Sequence, residues 1–228
     1  MIYPFNSYLC TMKYQVHQMQ PPAADMLSLG KLLPVMEQFY SLQGEGYHSG
    51  SPAYFIRIGG CDVGCHWCDV KESWDANLHP LLEIDKVLES VLESGATNVV
   101  ITGGEPLMYN LHLLTSKLNT LGISTFLETS GSEKLTGNWD WICLSPKKNA
   151  LPKEDIFLHC NELKMIIHNS NDFLFSEEMA SKVSNSCLKF LQPEWSKRET
   201  ITPLIVEYLK NHTQWRLSLQ THKYIHIP

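Results

Sequence analysis

The sequence predicts an α/β fold, an incomplete (partial) TIM-type barrel of about six mostly parallel strands with outer helices. Three observations predict it. Short β-rich segments alternate with helical segments along most of the chain, which is typical of a parallel sheet covered by helices. The chain has 228 residues, whereas a complete barrel of eight βα units usually takes about 250. Finally, glycine-containing polar motifs follow predicted strands, where ligands gather in parallel α/β folds.

The predicted strands are short runs of apolar, β-branched and aromatic residues. The first is SPAYFIRIGG at 51–60, which ends at a glycine pair, and NVVIT at 98–102 runs directly into GGEP. The later strands are ISTFLETSG (123–131), WDWICLSP (139–146), ELKMIIH (162–168), CLKFLQP (187–193) and WRLSLQ (215–220).

Helices are predicted where apolar residues recur at helical spacing and a glycine ends the pattern. In the segment 84–95 the apolar face comprises Val87, Leu88, Val91 and Leu92, and Gly95 ends the helix. The other helices are NLHLLTSKLNTLG (110–122) and TITPLIVEYLKNH (200–212), the second with Pro203 near its first turn.

Composition and charge exclude several classes of protein. The chain is 43% hydrophobic and 18% charged, as in ordinary globular proteins, and its formal net charge is −6. A non-specific nucleic-acid binder would be basic, so no nucleic-acid partner is expected. No apolar run reaches the ~20 residues of a membrane span. The N-terminus lacks the pattern of a secretory signal, so we expect a cytoplasmic protein with reduced thiols.

Two domain segments are expected. Residues 1–33 are rich in Gln, Pro and Met and show no helical or strand period. They are expected to form an N-terminal extension that is poorly ordered, or that precedes a natural start at Met26 or Met36. Residues 34–228 are expected to form one catalytic domain.

Three of the seven cysteines lie close together in CDVGCHWCD, where Cys61, Cys65 and Cys68 are spaced C-x3-C-x2-C. A structural zinc site needs four ligands, and a remote Cys143, Cys160, Cys187 or a histidine could supply the fourth. A [4Fe–4S] cluster usually takes four thiolates. With three, one iron keeps an open position that a chelating ligand can fill. The polar residues Asp62, His66 and Asp69 argue against chance clustering of buried structural cysteines, and the open position makes the cluster the better fit.

Two motifs together resemble the radical S-adenosylmethionine superfamily. The C-x3-C-x2-C loop directly follows the first predicted strand, and Trp67 precedes the last cysteine. Thr-Gly-Gly-Glu-Pro follows the next strand at 102–106, where two glycines let the backbone approach a ligand closely. The resemblance implies a [4Fe–4S] cluster whose open iron is chelated by S-adenosylmethionine.

A longer set of motifs is similar to the 7-carboxy-7-deazaguanine synthases. SLQGEGYHSGSPAYFIRIGGCDVGCHWCD, TGGEP, LETSG, LSPK, FLQP and LQTHKYIHIP have counterparts there in the same order, over about residues 35 to 228. The resemblance implies a lyase that converts 6-carboxy-5,6,7,8-tetrahydropterin to 7-carboxy-7-deazaguanine with release of ammonia, in the biosynthesis of queuosine, a tRNA modification. It also implies a flavodoxin or ferredoxin as the electron donor, and a homodimer.

The same resemblance implies three groups of site residues. Cys61, Cys65 and Cys68 would hold the cluster. Contacts to S-adenosylmethionine would come from Trp67, Cys68, Asp69, Gly104, Thr129, Ser130, Ser145, Pro146, Lys147 and Gln192. The pterin would be bound by Leu42, Gln43, Gly44, Arg57, Thr102 and the terminal carboxylate of Pro228.

Some of these residue types also suit the implied chemistry. Arg57 interrupts an apolar strand, and its planar guanidinium group matches the 6-carboxylate of the pterin better than a lysine would. The alternative for Arg57 is a surface salt bridge. Glu45 is expected either at the substrate or as a turn residue, and His222 and Lys223 have either structural or functional roles.

Val70 departs from the pattern of the family, which commonly has Thr or Ser there as a ligand of Mg2+. Since Mg2+ requires near-octahedral oxygen ligation, either Asp69, substrate atoms and water complete the shell or the metal requirement is relaxed. Two alternative functions stay open: a glycyl-radical enzyme activase of the same superfamily, and a zinc-stabilised binding module without catalysis.

Overall fold

A computed structural model describes residues 23–228. Nine strands within these residues form one continuous sheet. In chain order the strands are β1 (Leu32–Leu42), β2 (Pro52–Ile58), β3 (Leu81–Glu83), β4 (Asn98–Gly103), β5 (Ser124–Thr129), β6 (Trp141–Leu144), β7 (Glu162–Ile167), β8 (Leu188–Pro193) and β9 (Trp215–Leu217). The helices are α1 (Ala23–Ser28), α2 (Ile84–Ser94), α3 (His112–Thr120), α4 (Asp172–Ala180), α5 (Arg198–Asn211) and α6 (Thr221–Ile225). Within these residues no helix is long and apolar enough to cross a membrane.

The strand order confirms a partial α/β barrel. The order is β3-β1-β2-β4-β5-β6-β7-β8-β9. Strand β3 lies at one edge, beside β1, and from β4 to β9 each strand lies beside the next one along the chain. All the pairings from β2 to β9 are parallel, whereas β1 is antiparallel to both β2 and β3. The two ends of the sheet do not pair with each other, so the barrel is open. All seven segments predicted as strands contain one, and the sheet has two more, β1 and β3, which sequence patterns did not indicate.

The folded region begins before residue 34. Leu33 is fully buried within β1, and α1 precedes it. The boundary expected after residue 33 therefore falls inside a strand. The extension expected for the preceding residues stays a prediction where it concerns residues 1–22, which lie outside the described part of the chain.

The main hydrophobic core lies between the outer face of the sheet and the helices. Ile56, Ile101 and Leu127 are fully buried there, and α2 packs Val87, Leu88 and Val91 against the same core. Leu92 was expected on this face, but 53% of it is exposed. Helix α2 ends as predicted at Gly95, which has the left-handed conformation (φ +69°) favoured at helix ends.

The opposite face of the sheet is built in levels across neighbouring strands, as in barrel interiors. The strand register places four residues of an apolar level side by side: Phe55, Val100, Phe126 and Trp141. Two positions further along each strand lies a second level, the polar rung, which comprises Arg57, Thr102, Glu128, Cys143 and Glu162. Because side chains alternate between the faces of a strand, these five point to the same side.

Candidate active site

A cavity of about 260 Å3 lies at the carboxyl ends of the parallel strands. Almost every residue that the sequence predicted for the site lines it. These are Leu42, Gln43, Gly44, Arg57, Cys61, Cys65, Trp67, Cys68, Asp69, Thr102, Gly104, Thr129, Ser130, Ser145, Lys147, Gln192 and Pro228. Pro146 is the exception, since it is buried beside the wall without lining the cavity. One space therefore contains the predicted cluster, cofactor and substrate residues.

The cysteine loop, residues 61–70, follows β2 and holds three half-buried thiols at the cavity wall. The Cys68 amide donates to the Cys65 carbonyl at 3.0 Å, and the Val70 amide donates to Cys68 Sγ at 3.4 Å. Burial raises the pKa of Cys61 and of Cys65, so both thiols need a bound cation to become thiolates at neutral pH. This donor set fits a [4Fe–4S] cluster with three protein ligands.

The remaining buried cysteines do not complete a zinc site. Cys160 lies just before β7 and Cys187 just before β8, so both are at the amino ends of these strands. Their Sγ atoms lie 3.7 Å apart. Cys143 is in the polar rung. Within residues 23–228, no three His, Cys, Asp or Glu side chains converge as a single ion would require. The ligands of a cluster lie further apart than those of one ion, because the cluster is larger.

The GGEP turn lies directly against the cysteine loop. A Cβ atom at Gly104 would be 2.1 Å from the Gly60 carbonyl oxygen, so only glycine allows this approach. Glu105 is buried, and its carboxylate accepts hydrogen bonds from Thr129 Oγ1 at 2.6 Å and from the Ser130 amide at 2.8 Å. Thr129 and Ser130 also line the cavity, and their hydrogen bonds to Glu105 connect the end of β5 to the turn after β4.

Lys147 and Gln192 occupy other parts of the wall. Lys147 Nζ donates to Ser145 Oγ at 2.8 Å and lies 5.8 Å from the centre of the Trp67 ring. Burial lowers the pKa of Lys147. The side chain of Gln192 accepts a hydrogen bond from Ser218 Oγ at 2.7 Å. The structure thus brings the SPK segment beside the aromatic residue of the cysteine loop.

The QGEG loop, residues 43–51, connects β1 to β2 and contacts α6 across the cavity. The Gly44 carbonyl accepts a hydrogen bond from the Thr221 amide at 2.8 Å. A Cβ atom at Gly44 would be 2.1 Å from His222 Nδ1, so the helix and the loop are in close contact. Gln43 Nε2 donates to Glu128 Oε1 at 2.8 Å. The structure gives His222 a packing role here, and burial lowers its pKa.

Lys164 was not predicted from the sequence, yet it is the most buried basic side chain of the cavity wall. It is 4% exposed and forms ion pairs with Glu45 and with Glu128, the second at 3.4 Å. Burial raises the pKa of Glu45, but the charge and hydrogen bond of Lys164 outweigh burial and lower this pKa to about 2. The available signal was a lysine inside ELKMII, an otherwise apolar strand.

Arg57 lines the cavity and also forms an ion pair. Its Nε atom is 2.9 Å from Glu37 Oε1, and its guanidinium group lies 5.5 Å from the centre of the Phe39 ring. The partner carboxylate is 45% exposed, so this pair is a weak one. The position of Arg57 is thus compatible with both expectations, a contact to the substrate and a surface salt bridge. At the same rim, Ser41 Oγ donates to the Pro228 carbonyl at 3.3 Å.

The surroundings of Asp69 do not fit a Mg2+ ion. Lys223 Nζ is 2.5 Å from Asp69 Oδ2, and Gln220 Nε2 donates to the same oxygen at 3.3 Å. Burial raises the pKa of Asp69, but Lys223 outweighs it and the net shift is downward. Val70 adds no side-chain oxygen. A lysine ammonium group thus lies where a divalent cation would need oxygen ligands.

This fold and this site define a class of protein. Three thiols in a C-x3-C-x2-C loop lie against a GGEP turn at the wall of one cavity in an open parallel barrel, which is the arrangement of a radical S-adenosylmethionine enzyme. A family model described as "Radical SAM superfamily" matches residues 55–142. This membership implies a [4Fe–4S] cluster and S-adenosylmethionine as cofactors.

Comparison with known proteins identifies the family within that class. A 7-carboxy-7-deazaguanine synthase from Flavobacterium psychrophilum is 55% identical over 199 residues, which cover 87% of this chain and 94% of that protein. One from Synechocystis sp. is 45% identical over 206 residues, covering 90% and 98%. The crystal structure of QueE from Escherichia coli matches with a TM-score of 0.76 and 30% identity, covering 89% of this chain and all of that one. The chain belongs to the 7-carboxy-7-deazaguanine synthase family.

Proposed function

We propose that this protein converts 6-carboxy-5,6,7,8-tetrahydropterin to 7-carboxy-7-deazaguanine and releases ammonia, as a radical S-adenosylmethionine lyase of queuosine biosynthesis. One observation carries the proposal: a single cavity is lined both by the cysteine loop and by Arg57 with the QGEG loop. A radical formed at the cofactor can act only on a molecule held beside it, because transfer of a hydrogen atom requires contact.

The residues of the cysteine loop and the GGEP turn would hold the cofactors. Cys61, Cys65 and Cys68 would bind the cluster, and the open Gly104 backbone would face S-adenosylmethionine. The bound cofactors supply abstraction of a hydrogen atom from the substrate. The chain itself positions the two molecules and keeps water out of the cavity.

On the substrate side, the polar rung offers groups that suit a carboxylated pterin. Arg57 presents a guanidinium fork to the 6-carboxylate. Thr102 lies beside it in the register, and Gln43 and Gly44 cover the ring from the QGEG loop. Pro228 lies at the rim of the same cavity. These are the contacts that we propose for binding.

The proposal extends to partners. We propose a flavodoxin or ferredoxin as the electron donor, a homodimer as the working assembly, and the cytoplasm as its location. The Mg2+ ion expected from the resemblance is not part of the proposed site, because the side chains around Asp69 do not offer the oxygen ligands it needs.

An anaerobic assay tests the function. Purified protein with a reconstituted cluster is supplied with the carboxytetrahydropterin, S-adenosylmethionine and a reductant, and the product and ammonia are quantified. We expect 7-carboxy-7-deazaguanine and ammonia in equal amounts, without net consumption of S-adenosylmethionine. Cleavage of S-adenosylmethionine with no pterin product would leave the superfamily assignment and remove the substrate.

The same experiment separates the two alternatives. A glycyl-radical enzyme activase would consume S-adenosylmethionine only when its protein substrate is present. A zinc-stabilised binding module would stay colourless after reconstitution and contain zinc in place of iron. Both alternatives would leave the pterin unchanged.

A further inference from the structure

We infer that Lys164 is a positioning residue for the substrate, which holds Glu45 and Glu128 as charged acceptors for the N–H groups of the pterin's aminopyrimidinone edge. The inference deepens the proposed function and rests on it. Neither Lys164 nor Glu128 was predicted as a site residue from the sequence, so this assigns a second end to the substrate site, opposite Arg57.

The three charged groups come from separate parts of the fold and meet at the cavity wall. Glu45 is in the QGEG loop, Glu128 is at the end of β5, and Lys164 is in β7. The side chain of Lys164 is 5% exposed, and those of Glu45 and Glu128 are 15% and 25% exposed. A lysine buried to this extent is retained only where it is paired. Here it is paired with two groups that face the ligand space.

The hydrogen bonds around the two carboxylates fix their orientation. Glu45 Oε1 accepts from Gln220 Nε2 at 2.9 Å, and Glu128 Oε1 accepts from Gln43 Nε2 at 2.8 Å. Lys164 donates to the second oxygen of each carboxylate. A carboxylate oxygen can accept more than one hydrogen bond, so both acids retain acceptor capacity toward the cavity.

The charge pattern of the cavity matches an asymmetric ligand. Two carboxylates and one ammonium group leave a net negative charge at the Lys164 end, while Arg57 is positive. In the polar rung, Glu128 lies two strands from Arg57, about 10 Å away. A bicyclic ring with a carboxylate at one end and adjacent N–H donors at the other fits this separation in one orientation. The arrangement therefore sets which end of the ring lies at Arg57.

Every titratable group that faces Lys164 affects its ionisation. Burial lowers its pKa, but Cys143 from β6, Glu128 from β5, Glu45 from the QGEG loop and Glu162 from β7 outweigh burial, so the net shift is well upward. His222 from α6 also faces Glu45. Without Lys164, two buried carboxylates would face each other. Burial would then raise the pKa of Glu45, and a protonated carboxyl group no longer offers two acceptor oxygens to N–H donors.

The test is the substitution Lys164→Met in the reconstituted enzyme. We expect kcat/KM for the carboxytetrahydropterin to fall about 10- to 100-fold at pH 7, the range for losing charge-assisted hydrogen bonds. The loss should shrink as the pH rises, because Glu45 ionises again. In wild type, kcat/KM should show no such loss toward acid pH. Iron content and binding of S-adenosylmethionine should be unchanged, and Lys164→Arg should retain the wild-type pH profile.

A double-mutant cycle shows whether Lys164 acts through Glu45. In a Glu45→Gln background the additional loss from Lys164→Met should be much smaller than in wild type. If the single Lys164→Met variant does not fold, the double variant is compared with Glu45→Gln alone, and a further loss as large as the 10- to 100-fold expected in wild type would overturn the inference. A profile for Lys164→Met that is parallel to that of wild type would overturn the inference. Wild type that does not bind the pterin would instead contradict the proposed function.

Discussion

At the scale of single residues, the site depends on charged groups that are held by ion pairs with other parts of the fold. Arg57, Asp69 and Lys164 each face the cavity, and each forms an ion pair with a residue of another element. The sequence indicated Arg57 because it interrupts an apolar strand. It did not indicate the pairing of Asp69 with Lys223, because the two residues are far apart in the chain and only the fold brings them together.

Arg57→Met should weaken substrate use with little effect on the cofactors. We expect kcat/KM for the carboxytetrahydropterin to fall about 10- to 100-fold, because the bidentate bond to the carboxylate is lost. Arg57→Lys should lose less kcat/KM than Arg57→Met but should not reach the wild-type value, since lysine cannot form the bidentate bond. Steady-state kinetics check this. Glu37→Gln is the matched control, and if it causes an equal loss, then Arg57 acts only through its exposed ion pair.

Removal of Mg2+ should leave turnover unchanged. The physical reason is that Lys223 already provides a positive charge at Asp69, and Val70 provides no oxygen ligand. The measurement compares turnover in chelator-treated buffer with turnover after addition of Mg2+. An enzyme that is inactive until Mg2+ is restored would contradict this prediction.

At the scale of elements, the patterns that the sequence shows best are amphipathic helices and apolar strands followed by glycine. Helix α2 and strand β4 were predicted within one residue of their observed ends. Strand β1 was missed because Pro34 is unusual inside a strand. Helix α4 was missed because its apolar residues do not lie on one face, and 76% of Leu174 is exposed. Helix α5 begins two residues earlier than predicted, so Pro203 lies past its first turn.

The second glycine of the QGEG loop, Gly46, lies against the buried side chain of Glu162. Gly46 has φ +64°, and a Cβ atom there would lie 1.9 Å from Glu162 Oε1. Gly122 has a similar φ of +74° but no atom within 4 Å of such a Cβ. Gly122→Ala should therefore cost only the conformational penalty of about 1 kcal/mol. Gly46→Ala should cost about 1–3 kcal/mol more, because it overpacks the loop against the polar rung.

Denaturant unfolding of both alanine variants measures this difference. The comparison isolates the steric clash, since both positions have the left-handed conformation. Equal losses of unfolding free energy in the two variants would show that the loop moves away from Glu162 at no cost.

At the scale of the whole molecule, the two ends of the parallel strands have different roles. The carboxyl ends hold the cavity, and the amino ends are packed with Cys160 and Cys187. The sequence predicted the open α/β barrel and the three-cysteine loop, since both follow from local pattern and spacing. It could not predict the polar rung, because that requires the register of five strands, which no local pattern specifies.

Cysteine substitutions should separate these two ends. Replacing Cys61, Cys65 or Cys68 with alanine should abolish the broad absorbance of the cluster and sharply lower bound iron, because each would be a ligand. Cys160→Ala and Cys187→Ala should retain both, since they lie at the opposite end of the strands. Iron analysis after anaerobic reconstitution checks this. Loss of iron in Cys160→Ala would indicate that a remote thiol takes part in metal binding.

The contact between the QGEG loop and α6 has a consequence for biosynthesis on the ribosome. The loop is near the start of the folded region, and the residues that meet it, Gln220 to His222, lie near residue 228. A nascent chain can therefore assemble most of the sheet while its catalytic pocket is still incomplete. The pocket can therefore be complete only in polypeptides whose translation has passed residue 222.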